Sequence, residues 1–245
     1  MKVWILGIGM GPRHVTPEVA DALRSVDYVL AAEKGAEDGL LALRRTVVDA
    51  YAESVPIVTV SDPARDRSAD LSGPGYAGAV ADWHAARAQR YADVLRERGG
   101  TAAFLVWGDP ALYDSTIRVV QQVKALGVEL EYDVLPGISA PQLLAARHRI
   151  VLHEVGRPVH ITTGRRLGEA IAAGQDNIVA MLNPEGLDLS VVADWTIWWG
   201  ANLGAAGERL VRGRVGDVVG EIAAARRAAK AEAGWVMDVL LVRRP

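Results

Sequence analysis

Residues 107–114, WGDPALYD, combine the chemistry and the backbone freedom that a ligand site needs. Gly108 lets the main chain approach a bound molecule, Pro110 stiffens the turn, and the Asp109 carboxylate can accept hydrogen bonds from hydroxyls or an amine. A second junction, LPGISA at 135–140, pairs Pro136 and Gly137 with the Ser139 hydroxyl. A third glycine-rich turn, GIGMGP at 7–12, follows the first apolar run. A dinucleotide fingerprint requires a third glycine where this chain has Pro12, which counts against a nicotinamide-dependent oxidoreductase. Glu33, near the end of the second apolar run, is the residue that could imitate the ribose-binding acid, and that reading stays as an alternative. The plain structural readings of these stretches are a tight turn for GIGMGP and a helix cap for Asp109.

Positioning these turns requires strands that end at them. The apolar run FLV before WGDP, with the helix-forming string STIRVVQQVKALG after it, puts Asp109 at the carboxyl edge of a sheet, where open α/β sheets hold ligands. The same reading gives strands at VWILGIG, DYVLAAEKG, IVTVS and ELEYDVLPG, separated by helices at EVADALRSV, GAEDGLLALRRTVVDAY, and GYAGAV to YADVLRERGG. Past Ala140 the rhythm repeats: a helical PQLLAARHRI, strands VHITTGR, NIVAMLNP and TIWWGANLG, a helix from Gly216 to Ala233, and the strand WVMDVLLVRR. This alternation predicts an α/β protein with mainly parallel or mixed sheets in two domains. The segment VLHEVGRP marks the boundary, giving residues 1–153 and 154–245.

Composition limits the function further. The 245 residues are half hydrophobic and carry a net charge of −3, which offers no general basic field for nucleic acid or an anionic membrane. With no cysteine there is no disulfide, thiolate metal site or cysteine nucleophile. The five histidines, at 14, 84, 148, 153 and 160, lack metal-ligand spacing, so no metal is expected. No stretch reads as a signal peptide or membrane span, and the expectation is a soluble, unprocessed cytoplasmic chain. Arginines at 65, 67, 87 and 165 are either solvated surface or partners for a ligand's carboxylates. Seven tryptophans against one phenylalanine point to core packing for most, with stacking on a flat ligand the alternative for some of Trp83, Trp107, Trp198 and Trp199.

Taken in order, GIGMG, WGDPALYDST, LPGISA, ITTGR and AMLNP resemble the tetrapyrrole methylases, the class III S-adenosylmethionine-dependent methyltransferases, and the similarity runs over essentially the whole chain. The resemblance implies two α/β domains, with S-adenosylmethionine in the cleft between them. It implies cofactor contacts from Trp107, Gly108, Asp109, Leu112, Ser139, Ala140, Met181 and Leu203. It further implies an acidic tetrapyrrole substrate, met by Arg65, Arg67 and Arg165, and a homodimer, with no nucleic-acid or membrane partner. The reaction implied is methylation of C-1 of precorrin-5, with loss of the C-20 acetyl group as acetate, to give precorrin-6A. Other precorrins are the alternative substrates within the same family. Tyr113, Asp114 and His84 are the candidates for proton handling. The first loop departs from the family pattern, with Met10 at its proline and Pro12 at its aspartate.

Overall fold

The computed structural model describes residues 1–33, 39–63 and 74–245. The chain folds as two compact units, Met1–Ile138 and Ser139–Pro245. In the first unit, five parallel strands stand in the order β3-β2-β4-β1-β5: β1 (Lys2–Gly7), β2 (Tyr28–Glu33), β3 (Ile57–Ser61), β4 (Thr101–Val106) and β5 (Glu131–Leu135). Alternation along each central strand sorts its side chains between two cores. Val3, Ile5, Phe104 and Val106 pack with α3 (Pro74–Arg98) and α4 (Thr116–Ala125). Leu6, Ile8, Ala103 and Leu105 pack with α1 (Pro17–Arg24) and α2 (Gly39–Tyr51) on the opposite face. The local signals agree with this arrangement. Thr16 caps α1 by accepting from the Val19 N–H, Pro17 takes the first turn, and Gly99 with φ 65° ends α3.

Because β1 leads through α1 to β2 on one side, and β4 leads through α4 to β5 on the other, the adjacent pair β1/β4 is the point at which the strand order reverses. Such switch points open the crevice that ligands use in doubly wound sheets. The loops after β1, β4 and β5 meet there at close range. A Cβ on Gly137 would overlap the Gly108 carbonyl oxygen and stand 2.8 Å from the Gly7 carbonyl oxygen, while one on Gly7 would stand 2.5 Å from the Gly137 nitrogen.

The second unit contains a mixed sheet in the order β6-β7-β10-β8-β9: β6 (His160–Thr163), β7 (Asn177–Met181), β8 (Thr196–Ala201), β9 (Arg209–Arg214) and β10 (Asp238–Arg243). Only β6 and β7 are parallel; β10 runs antiparallel to both β7 and β8. The sequence pattern does not reveal β9, RLVRGR, whose arginines alternate with smaller residues. That is the composition of a charged edge strand, which lacks the apolar run that marks the others. One face of the sheet packs under α6 (Leu167–Ala172) and α7 (Val215–Ala233).

The other face takes α5 (Ala140–His148). Sequence placed this helix before the boundary, with residues 1–153; its partners place it with the second unit. Arg147 pairs with Glu208 at 2.8 Å, and the buried His148 ring bonds the Trp199 carbonyl at 3.0 Å. A carbonyl only accepts, so the ring proton sits on Nε2. Burial pushes the His148 pKa below its ordinary 6.5, against the opposing pull of the Trp199 carbonyl and with a smaller push from Arg212.

This packing has two measurable consequences. Gly137→Ala should lower the unfolding free energy by about 1 to 3 kcal/mol, the usual cost of forcing an extra methyl into a filled site. A denaturant midpoint equal to the wild type's would show that the loops part without cost. For His148, the unfolded chain binds the proton more readily than the fold. The stability tied to the neutral ring is therefore whole above pH 6.5 and declines as pH falls from there towards the lower folded pKa. His148→Gln, which keeps a donor for the Trp199 carbonyl, should flatten the stability profile between about pH 7 and 5. An unchanged slope would locate the acid sensitivity elsewhere.

Candidate functional site

In the first unit, β4 delivers its loop to the switch point as the sequence expects. Gly108 takes φ 77° and exchanges two backbone hydrogen bonds with Gly9, at 2.8 and 3.2 Å, which clamps the first glycine loop against the β4 loop. Asp109 is more than a turn residue. Its Oδ1 accepts from the Ala111 N–H at 2.8 Å, and its Oδ2 accepts from the Gly137 N–H at 3.0 Å. The side chain thus fastens the β4 loop to the β5 loop across the end of β1, which lies between those strands. Each carboxylate oxygen that receives one N–H keeps acceptor capacity for a ligand. Trp107 and Leu112 flank this turn, both half-buried.

The proton-handling candidates lie apart. Asp114 accepts the Thr116 N–H at 2.6 Å and so closes the start of α4, whose cap residue Ser115 makes no side-chain cap bond. Tyr113 occupies the left-handed region at φ 53° and is 42% exposed, on the β4 loop itself. His84 sits along α3 beside Trp83, with ring centroids 5.1 Å apart. Arg87 covers Trp83 at 3.8 Å and pairs with Asp62, so that cation is engaged within the fold. Arg65 and Arg67 fall outside the described residues.

In the second unit, the carboxyl ends of β7 and β8 meet the start of β10, with Met181 opposite Val239 and Ala201 opposite Asp238. Met181 is paired with Thr163 at the end of β6, and the exposed Arg165 follows two residues later. Met181, Arg165 and the β8 loop therefore share one sheet edge. Leu203 is 1% exposed; a Cβ on Gly200 would collide with its side chain and that of Leu144. Ser139 precedes α5, and Gln142 Oε1 accepts from both its N–H and its hydroxyl at 2.9 Å. Ala140 opens the helix, half-buried.

Sequence reasoning passed over Asn202, although Asn is the residue that tolerates the φ of 48° found there. Its amide donates to the Trp235 carbonyl at 3.1 Å, and its Oδ1 accepts from the Met237 N–H at 2.9 Å, holding the β8 loop to the segment before β10. It also passed over His14, whose Nδ1 is buried and has no hydrogen-bond partner. A cavity of about 330 Å³ lies in the second unit between α7 and the sheet, lined by Leu187, Trp199, Ile222, Arg226 and Leu240 among others. None of the expected cofactor or substrate contacts lines it, and its Arg226 is already paired with the buried Asp238, which also accepts from Trp199 Nε1. Among the described residues no three His, Asp or Glu side chains converge on a metal site. No described helix is long and apolar enough to cross a membrane.

A doubly wound sheet with glycine turns at its switch point, joined in sequence to a mixed α/β unit, defines a class. The model of the Tetrapyrrole (Corrin/Porphyrin) Methylases matches residues 2–219, and the chain belongs to that family. Within it, the chain is 44% identical over 250 residues to precorrin-6A synthase [deacetylating] of Sinorhizobium sp, covering 99% of this chain and 95% of that protein. Among solved structures it is similar to a cobalamin synthesis related protein (CobF) of Corynebacterium diphtheriae, with a TM-score of 0.84 and 36% identity over 99% of this chain and 98% of that one. Uroporphyrin-III-C-methyltransferase of Thermus thermophilus shares the fold at a TM-score of 0.61 and 20% identity, over 99% and 91% of the two chains.

Asp109→Ala leaves two backbone N–H groups without their acceptor and should lower the stability by about 1 to 3 kcal/mol. Asp109→Asn keeps one amide oxygen and should recover part of that loss. Equal denaturation midpoints for the wild type and the alanine variant would show that the bridge contributes nothing.

Proposed function

We propose that the protein is an S-adenosylmethionine-dependent C-methyltransferase of cobalamin biosynthesis that methylates C-1 of precorrin-5 and releases the C-20 acetyl group as acetate, giving precorrin-6A. The observation that carries this reading is the 44% identity, across nearly the full length of both chains, with a deacetylating precorrin-6A synthase. Membership of the tetrapyrrole methylases supports the choice of methyl donor. We further take the working form to be a homodimer, as the family resemblance implies, and the compartment to be the cytoplasm.

The residues fit such a donor. Around Asp109 the main chain lacks Cβ atoms at Gly7, Gly108 and Gly137, and the carboxylate retains lone pairs for hydroxyls or an ammonium group. Trp107, Gly108, Asp109 and Leu112 of the first unit are the proposed contacts, with Ser139, Ala140, Met181 and the Leu203 backbone of the second. When bound, S-adenosylmethionine supplies an electrophilic methyl on a sulfonium. The nucleophile is an electron-rich carbon of the macrocycle, so the protein needs no covalent residue. Its work is orientation, for which Asp109 is suited because the two backbone N–H groups fix its carboxylate before any ligand arrives. Arg165, exposed at the β6 edge, is proposed to meet a carboxylate of the substrate. Tyr113, on the β4 loop, is proposed to position the water for acetyl loss.

The test is incubation with precorrin-5 and methyl-labelled S-adenosylmethionine, followed by mass spectrometry of the macrocycle and assay of free acetate. One labelled methyl gained for each acetate released is the expected result. Transfer to a different precorrin, or none to precorrin-5, would overturn the assignment. Calorimetry should also show binding of S-adenosylhomocysteine and none of the nicotinamide dinucleotides.

A further inference from the structure

In the second unit the proposed cofactor contacts sit on separate elements: Ser139 and Ala140 at the start of α5, Met181 at the end of β7, and Leu203 on the loop between β8 and β9. The β8 loop is the one whose backbone needs holding. Asn202 and Gly204, on either side of Leu203, both take left-handed conformations, at φ 48° and φ 77°. A run of this kind persists only where its surroundings fix it. Asn202 is fixed from the β10 side: its N–H donates to the Met237 carbonyl at 2.8 Å, and its side chain bonds Met237 and Trp235.

Gly204 is fixed from the opposite direction, by Glu208 just ahead of β9. The Gly204 N–H donates to Glu208 Oε2 at 2.5 Å, while Arg147 of α5 donates through Nε to Glu208 Oε1 at 2.8 Å. One planar carboxylate therefore joins the residue after Leu203 to the last turn of α5, one oxygen to each. The two side chains are only 27% and 30% exposed, so solvent weakens the pair less than it would at the open surface. The nine residues of α5 form a rod about 13 Å long, which carries a position fixed at its last turn to Ser139 and Ala140 at its first. The same loop has a second acidic anchor without such a link. Glu232 accepts from the Gly207 N–H at 3.1 Å and pairs with Arg209 at 2.6 Å, both within the hairpin or α7.

We propose that Glu208 is a positioning residue for the methyl donor, setting the Leu203 backbone in register with the start of α5. The proposal rests on the reading above, in which Ser139, Ala140 and the Leu203 backbone meet S-adenosylmethionine. Glu208 touches no ligand in this account. It does for the second unit what Asp109 does for the first, where one carboxylate ties two loops that carry proposed contacts. Holding both elements before the ligand arrives removes the ordering that binding would otherwise have to impose.

The test is calorimetric titration of S-adenosylhomocysteine into folded variants, with denaturation midpoints measured alongside. Glu208→Ala should weaken binding about 10-fold to 10²-fold. Glu208→Gln keeps an oxygen for the Gly204 N–H but loses the charge that holds Arg147, and should fall between. Arg147→Met should also weaken binding, and adding it to Glu208→Ala should cost nothing further, because both remove one bridge. Glu232→Ala should lower the midpoint and bind as the wild type does. In turnover the Glu208 variants should show a raised KM for S-adenosylmethionine with kcat kept. Wild-type affinity in folded Glu208→Ala overturns the proposal, as do losses that add in the double variant or an equal loss in Glu232→Ala, which would make loop stability the cause. Where Glu208→Ala fails to fold, Arg147→Met and Glu208→Gln decide in the same way. A wild type that binds no S-adenosylhomocysteine overturns the methyl-donor reading together with this one, and so is distinct from a failure confined to the variants.

Discussion

One hydrogen bond sets the geometry on which the candidate site depends. The Asp109 carboxylate reaches from the β4 loop across the end of β1 to the Gly137 N–H, and the crossing is possible because Gly7, Gly108 and Gly137 carry no side chains. Apolar burial makes the sheet but is non-directional, and does not by itself fix how three loops beyond its edge are arranged. The carboxylate and the paired bonds between Gly9 and Gly108 do that. Loop bonds of this kind also free each strand to be almost wholly apolar, as β4 is.

The two units reach their cores by different routes. The first alternates strand and helix, and its sheet is parallel and covered on both faces. The second places an antiparallel strand, β10, at the centre, buries Trp199 beneath α7 and gives that indole an acceptor in Asp238. Asp238 is itself paired with Arg226, so a carboxylate that sequence alone would assign to solvent is enclosed and matched. Trp199, Asp238 and Arg226 are satisfied as a set, which makes any one of them costly to remove.

Much of the first unit was legible because its signals are local. An apolar run ending in Gly-Asp-Pro, a threonine cap before a proline, and paired glycines after a helix each point to one backbone solution. Asp109 was legible as a residue at a strand end. Its grip on Gly137 was not, since 28 residues of chain separate the two and only the strand order β4-β1-β5 brings them together. Strand β9 was hidden by its arginines, and the affiliation of α5 by the fact that a helix's sequence shows its apolar face but not the surface that face meets. Leu203 shows a further limit: the resemblance pointed to its position, and its side chain is buried over Gly200. His14 gave no signal, because an unpaired nitrogen is a property of surroundings and not of spacing.

The central place of β10 has a consequence for how the chain comes to be folded. Residues 177–181 and 196–201 flank a slot that stays empty until residues 238–243 arrive, so during synthesis β7 and β8 leave the ribosome with bare hydrogen-bonding edges facing each other. The first unit has all five of its strands by residue 135 and can close while the second has scarcely begun. In the second, the pairs β6/β7 and β8/β9 are joined into one sheet only by the late β10, a non-local pairing of the slow-forming kind. Until β10 pairs with them, the facing edges of β7 and β8 are unpaired, and unpaired strand edges are sites of mispairing.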